Sequence, residues 1–398
     1  MQHRIIVLGA GYSGAIAAGR LAKRLRREDV AITLVNAEPD FVERVRMHQL
    51  AVGQELTPRP LREMFAGTGI ELKLAMATSI DVDRKTVTVK SADGPEQLSY
   101  DTLVYALGSG WNAGGVPGAA EHGHQIAGRP GALRLRERLA QLTEGETVAV
   151  VGGGLTGLEF ATEVAEARPD LDVALAARGE LGDWLSPKGR THLRKVTDKL
   201  GITVYENAPV TTVEADRITT ADGRAIAAAV TVWTTGFAVH PLAKATGLEI
   251  ADTGRIVVDA TMRSLSHPDV YAIGDAAHAL GAGDKPLRMS CASGAPMAWR
   301  AADSIAARLS GGTPASAPLR YFNQCVSLGR TEGLIQFVTA DDRSVNRTLA
   351  GRFAARYKEL VCKGALWGVA NPTLGIPARR RRVVADHLAP KGTARAAA

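Results

Sequence analysis

The chain has 398 residues, a formal net charge of +7, 45% apolar residues and three cysteines, Cys291, Cys325 and Cys362. That length and apolar content can fill two or three buried cores, and the thiols stand too far apart for a disulfide framework or a CxxC pair. No run of roughly 18 apolar residues offers a membrane span, and the N-terminus enters a strand directly with no secretory leader, so a cytoplasmic protein is expected.

In chain order, residues 4–36 read as strand, turn, helix and strand. An apolar run at Ile5–Leu8 leads into Gly9, Gly11 and Gly14, then an Ala-rich helix to about Arg27 and a strand ending at Asn36. The glycines have separate tasks: the first turns the chain sharply, the second lets backbone approach a pyrophosphate, and the third packs helix on strand. The segment FVERVRMHQL follows, with Arg46 and His48 as its polar candidates. Alternating residues from Val82 to Leu103, around the turn Asp93-Gly94, predict an antiparallel excursion that returns to a central strand.

A Gly- and Pro-rich link, Gly114 to Gly131, precedes a short predicted helix, Ala132 to Leu142. The glycine pattern then recurs after the apolar run Val148–Val151, as Gly152, Gly154 and Gly157. Two copies in the same context predict two dinucleotide sites. A strand ending at Gly236 and another ending at Gly274-Asp275 complete the two units. From about Ser316 the composition changes, to the predicted strands YFNQCVSLG and LIQFVT and a cationic helix.

The positive charge is local. From Arg347 onward, eleven Lys or Arg face two acids, so the rest of the chain is slightly acidic. Between Arg352 and Val369, Phe353, Tyr357, Leu360 or Val361, and Trp367 recur at helical spacing, edged by Arg352, Arg356 and Lys363. Such a helix suits a membrane interface; packing on the first domain, or on a second copy in a homodimer, suits it equally. The Arg379–Arg382 run with its Ala-rich tail then reads as a disordered basic end. No module supports nucleic-acid binding, and no metal site is indicated.

The ordered set GxGxxG, YDTLVYALGS, GGGLTGLEFATE, VTVWTTGF and DVYAIGDAA resembles the two-dinucleotide-domain flavoprotein reductases of the pyridine nucleotide-disulfide oxidoreductase superfamily. Within them it is most similar to type II NADH:quinone dehydrogenases and ferroptosis-suppressor-like quinone reductases. The resemblance implies an α/β fold with two Rossmann-like domains. Residues 1–115 and 241–315 would form the FAD domain, 116–240 an inserted NAD(P)H domain, and 316–398 a C-terminal α+β segment at a membrane or dimer interface. On the FAD side it implies Gly9, Gly11, Tyr12, Ser13, Gly14 and Asn36, then Arg46, Ala77, Ala106 and Gly108, and finally Gly274, Asp275 and Ala292. On the nicotinamide side it implies Gly152, Gly154, Leu155, Thr156, Gly157 and Glu159, with Arg178, Thr235, Gly236 and Phe237. The helix beginning near Ser290 to Gly294 would aim its N-terminal dipole at the flavin pyrimidine.

Two departures bear on the cofactors. Asn36 stands where an acid normally holds the FAD ribose, with Glu38 two residues on. At the matching place in the second unit stands Ala177, followed by Arg178. Without the acid a 2′-phosphate is not repelled, and Arg supplies a bidentate partner, so NADPH is favoured slightly over NADH. A solvated surface arginine is the competing reading.

Flavin chemistry of this kind needs few side chains, because the cofactors carry the reactivity. Glu159 and His48 are the two weak catalytic candidates; each can equally be an ordinary surface or packed residue. With no cysteine in its first 290 residues, the chain is expected to pass electrons to a quinone-like or other small acceptor without a thiol relay there. A ferredoxin-like partner, a specialised metabolite and a purely regulatory NAD(P)H-binding role stay open. The expected location is cytoplasmic, or peripheral on the inner face of the cell membrane.

Overall fold

The computed structural model describes residues 2–376 and 379–387. Near the N-terminus, continuous apolar runs build a five-stranded parallel sheet in the order Val270–Ala272, Thr102–Tyr105, His3–Leu8, Val30–Asn36, Ile70–Leu74. Parallel strands are covered on both faces, which is why these runs do not alternate with polar residues. Ile5, Val7, Leu8, Leu103 and Val104 are wholly buried. The helices Tyr12–Arg24 and Cys291–Leu309 pack together over this sheet. The first ends at Arg24, short of the expected Arg27, because buried Leu25 is extended, at φ −113 and ψ 152.

A second parallel sheet repeats the plan in the order Thr203–Tyr205, Asp172–Ala176, Thr147–Val151, Val230–Trp233, Gly123–His124. In both units the return to the central sheet passes through three antiparallel strands. These are Met76–Asp81, Thr86–Ser91 and Gly94–Ser99 in the first, and Val210–Val213, Arg217–Thr220 and Ala225–Ala227 in the second. The first excursion starts earlier than the expected Val82. The second went unread, since its short Thr- and Ala-rich strands carry little alternation.

Between the sheets the chain leaves through Ser109–Trp111 and comes back through Phe237–Val239. These segments pair antiparallel, with Trp111 opposite Phe237 and Ser109 opposite Val239.

The C-terminal part is a three-stranded antiparallel sheet, Asn323–Ser327, Gly333–Val338 and Ser344–Ala350. Its last strand is too polar to have been read. Helix Arg352–Ala370 packs on this sheet and on helix Tyr12–Arg24. It turns Ala354, Cys362 and Val369 inward and leaves Phe353, Leu360 and Trp367 at least half exposed. Tyr357 departs from the expected stripe: its hydroxyl accepts from Asn323 Nδ2 at 3.0 Å. Phe353, Leu360 and Trp367 therefore face away from the first domain, against packing there. The Arg379–Arg382 run is also held in place, not loose. Arg381 N–H donates to Arg24 O at 2.7 Å, Arg26 N–H donates to Arg381 O at 3.1 Å, and Val383 N–H reaches Asp29 Oδ2 at 2.9 Å. The rest of the expected tail, 388–398, lies outside the described residues. Among those residues no helix is long and apolar enough to cross a membrane.

Candidate functional site

Steric contacts explain the two glycine loops. A Cβ on Gly9, where φ is +93, would meet Ala106 O at 2.5 Å, and one on Gly14 would lie 1.8 Å from Gly9 O. Gly11 differs: nothing lies within 4 Å of its added Cβ. The second loop repeats this, with Gly152 at 2.6 Å from Thr234 Oγ1, Gly157 at 1.9 Å from Gly152 O, and Gly154 open. Gly11 and Gly154 each cap a 13-residue helix that has no side-chain cap and no acid in its first turn. Each loop thus combines free helix N–H donors with an open approach for backbone, the donor set that a dinucleotide pyrophosphate requires. Both dinucleotides fit the residues present. Leu155 and Thr156 open the second of these helices. Thr234, which the sequence did not single out, closes the second loop by donating from its hydroxyl to Val151 O at 2.8 Å.

On the FAD side, Asn36 braces the loop. Its Oδ1 accepts from Ala10 N–H at 2.9 Å and its Nδ2 donates to Glu38 O at 2.7 Å. Exposed Glu38 is left as the nearby acid. Tyr12 packs edge-on against Phe41 at 4.9 Å, and its buried hydroxyl has no partner among the described residues. Ser13 is gripped between two glycines: a Cβ on Gly274 or Gly294 would fall 2.7 or 2.5 Å from its Oγ. Asp275 Oδ2 accepts from Ser109 Oγ at 2.6 Å and lies 3.9 Å from Arg44 Nη1. Gly108 borders the same arginine, Ala77 is buried in strand Met76–Asp81, and Ala292 is exposed on the first turn of helix Cys291–Leu309. The N-cap of that helix, Ser290, makes no side-chain cap.

Arg46, expected on the FAD side, is engaged by acids and an amide of the protein itself. Its guanidinium is spent on Glu43, Gln49 and Glu359, the last through two bonds of 3.0 and 2.8 Å. It ties the short helix Met47–Ala51 to the C-terminal helix, and Arg44 is the arginine that reaches Asp275.

Glu159 lies in a buried ionic cluster that no local pattern announces. Its Oε1 accepts from Lys358 Nζ at 2.9 Å and from Ser327 N–H at 3.1 Å, while Lys358 also donates to Cys325 O at 3.2 Å. Burial pushes the Glu159 carboxyl up, but Lys358 and its other donors outweigh that and hold it below its ordinary value. Lys358, buried as well, is held above its own by the same carboxylate. His48, the second catalytic candidate, is buried beside this pair with Nε2 unpartnered among the described residues. Desolvation pushes its imidazole down to about 4, so it is neutral at physiological pH.

One helical turn from Glu159, Glu163 is bonded by Gln54 and lies 3.8 Å from Arg330 Nε, with its other oxygen unpartnered among the described residues. Burial pushes its carboxyl up to about 7. A carboxyl raised on folding makes the native state the better proton binder, so stability falls as pH climbs from about 4.5 to 7. Glu163→Gln is therefore expected to stabilise the protein by ~1–3 kcal/mol at pH 8 and to leave it unchanged near pH 4.5. Urea unfolding at both pH values measures this; an equal effect at both would contradict the assignment.

On the nicotinamide side, Ala177 is buried behind the second loop, where a Cβ on Gly153 would come within 2.9 Å of its own. Arg178 is exposed and makes no ion pair among the described residues. Thr235 lines Gly152, Gly236 takes φ +72, and Phe237 is 43% exposed on the strand that pairs with Trp111.

Two parallel sheets, each with an open glycine loop at the head of a helix, define a protein built to hold two dinucleotides. The chain belongs to the pyridine nucleotide-disulphide oxidoreductase family, which matches residues 3–306. It is 30% identical over 319 residues to an NADH dehydrogenase-like protein of Mycobacterium tuberculosis, covering 74% of this chain and 78% of that one. To a type II NADH:quinone oxidoreductase, Ndh, of the same organism it is 27% identical over 367 residues, 81% and 76% of the two chains. Among solved structures, NDH2 from Plasmodium falciparum in complex with NADH matches with a TM-score of 0.77 at 15% identity, covering 95% of this chain and 99% of that one. An engineered water-forming NADPH oxidase bound to NADPH matches at 0.69 and 20% identity, over 84% and 75%. The protein is thus an FAD-dependent NAD(P)H oxidoreductase. Its three cysteines, Cys291, Cys325 and Cys362, are free.

Proposed function

We propose that the protein oxidises NADPH and reduces a quinone at the surface of a membrane. FAD is held by residues 1–115 and 241–315 and the nicotinamide by 116–240. When bound, the two cofactors supply the hydride transfer. The chain's own residues position and shield them: Gly11 and Gly154 admit the pyrophosphates, and Asp275 with Arg44 and Ser109 forms the polar end of the FAD cradle. Relatives that are NADH:quinone oxidoreductases support the acceptor class. The exposed Phe353, Leu360 and Trp367, flanked by Arg352, Arg356 and Lys363, support peripheral contact with the inner face of the cell membrane.

The observation that carries the donor preference is buried Ala177 followed by unpaired Arg178. No carboxylate meets a 2′-phosphate there, and a free guanidinium does. The engineered NADPH oxidase is instructive, since its substitutions include Asp to Ala followed directly by Ala to Arg. Arg178→Ala is expected to lower kcat/KM for NADPH by ~10–100-fold, the worth of a charge-assisted contact, and to change that for NADH by less than ~3-fold. Anaerobic bleaching of the flavin by each nicotinamide, followed by turnover with a short-chain quinone, tests the whole reading. Equal loss with both donors removes the NADPH assignment, and a protein purified without flavin removes the function.

A further inference from the structure

Six arginines, Arg24, Arg26, Arg379, Arg380, Arg381 and Arg382, line one cleft of about 450 Å³ at the far end of helix Tyr12–Arg24. The convergence is built by backbone. Leu25 and Arg381 form a parallel bridge, buried Val383 ties to Asp29, and Val384 N–H donates to Leu309 O at 2.9 Å. Little of the charge is neutralised. Asp303 serves Arg24 at 3.0 Å but is shared with Arg20, Glu28 stands 3.9 Å from Arg26, and Arg379–Arg382 make no ion pair among the described residues. Like charges held together in this way favour an anion between them, and guanidinium forks match phosphate oxygens two at a time.

We propose that this cleft is a binding site for a phosphate-bearing ligand, separate from both dinucleotide loops. The site presents at least four uncommitted forks on a fixed frame, enough to bracket a phosphate diester or a pyrophosphate from several sides. Exposed Leu374 and Ile376 lie just before the arginines in the chain, and the turn at Gly375 lies beside Trp367. The phosphate can therefore come from a lipid headgroup or from a soluble metabolite, and the two sources differ in what else they bring.

The test uses the flavin-loaded full chain and the double variant R380Q/R382Q, whose altered side chains are exposed and outside the catalytic machinery. Inorganic pyrophosphate, titrated calorimetrically, is expected to bind the variant at least tenfold more weakly, with NADPH oxidation unchanged and wild-type affinity falling as salt is raised. In a parallel arm, sedimentation with phosphatidylglycerol vesicles against phosphatidylcholine vesicles reads the lipid source. Loss in the variant of pyrophosphate binding alone assigns a soluble ligand, and loss of phosphatidylglycerol binding assigns a headgroup. Protection of Arg379–Arg382 in the unaltered protein from phenylglyoxal by pyrophosphate or vesicles gives an independent reading by peptide mass. Wild type and variant behaving alike in both arms, with no protection, overturns the proposal.

Discussion

Lys358→Met is expected to cost the protein ~3–5 kcal/mol, because it leaves the Glu159 carboxylate buried without its counter-ion. Lys358 Nζ sits 2.9 Å from that carboxylate, and only Ser327 N–H remains to bond it once the ammonium is gone. Methionine fills the same channel, so the loss comes from charge and not from an empty cavity. The sign with pH follows. Without Lys358, burial outweighs the one remaining Ser327 N–H and raises the Glu159 pKa, so the variant is least impaired in acid and loses stability as pH rises through the raised value. The double variant Glu159→Gln/Lys358→Met is expected to regain most of the loss, since neither charge then needs a partner. Urea denaturation at pH 5 and pH 8 checks all three statements. A double variant as unstable as the sum of the singles would show that the pair is not acting as a unit.

Gly14→Ala and Gly11→Ala are expected to separate folding from flavin binding. The Cβ on Gly14 must displace Gly9 O from 1.8 Å, a backbone atom pinned by the strand beneath it. Overpacking against rigid backbone costs about 3 kcal/mol or more, and bound flavin is lost with the loop geometry. Gly11 has ordinary φ −68 and open space around its added Cβ, so its alanine variant is expected to unfold within ~1 kcal/mol of wild type. It still loses flavin, because the methyl occupies the gap through which the pyrophosphate meets the backbone. Visible flavin absorbance after gel filtration, beside the unfolding midpoint, reads both effects. A Gly11→Ala protein that keeps full flavin would mean that the open gap is not the binding face.

The contrast between these residues also marks what a sequence can disclose. The glycine loops were readable because their constraint is local: Gly9 and Gly14 touch within one turn, and the apolar runs beside them can only be doubly covered strands. Asp275 was reached through the family resemblance and not through a local contact of this kind. The bonds of Arg46 were hidden for the opposite reason, since their partner Glu359 is 313 residues away. Lys358 lay unnoticed on a helix whose aromatic stripe drew attention outward, although its position four residues after Ala354 puts it on the inward face. Arg44 was not singled out, because spacing alone does not say which of two near neighbours turns toward Asp275. The tail arginines looked like a loose charge run until Leu25 and Asp29 were seen to hold their backbone.

The short ladder between Ser109–Trp111 and Phe237–Val239 gives the chain one further property. Everything from 112 to 236 departs and returns at adjacent points, so the second sheet is a loop whose ends are already closed. The entropy that normally grows with loop length is largely offset by the ladder, and the size of what lies beyond matters little to the first sheet. The same ladder is one of several links between the two sheets, beside helix Met47–Ala51 and Lys358, which both pack against helix Leu155–Ala167. A movement that brings a nicotinamide toward a flavin bends that strap while those packed contacts slide, and Gly110, with open space around an added Cβ, is the place on it where stiffness would slow turnover.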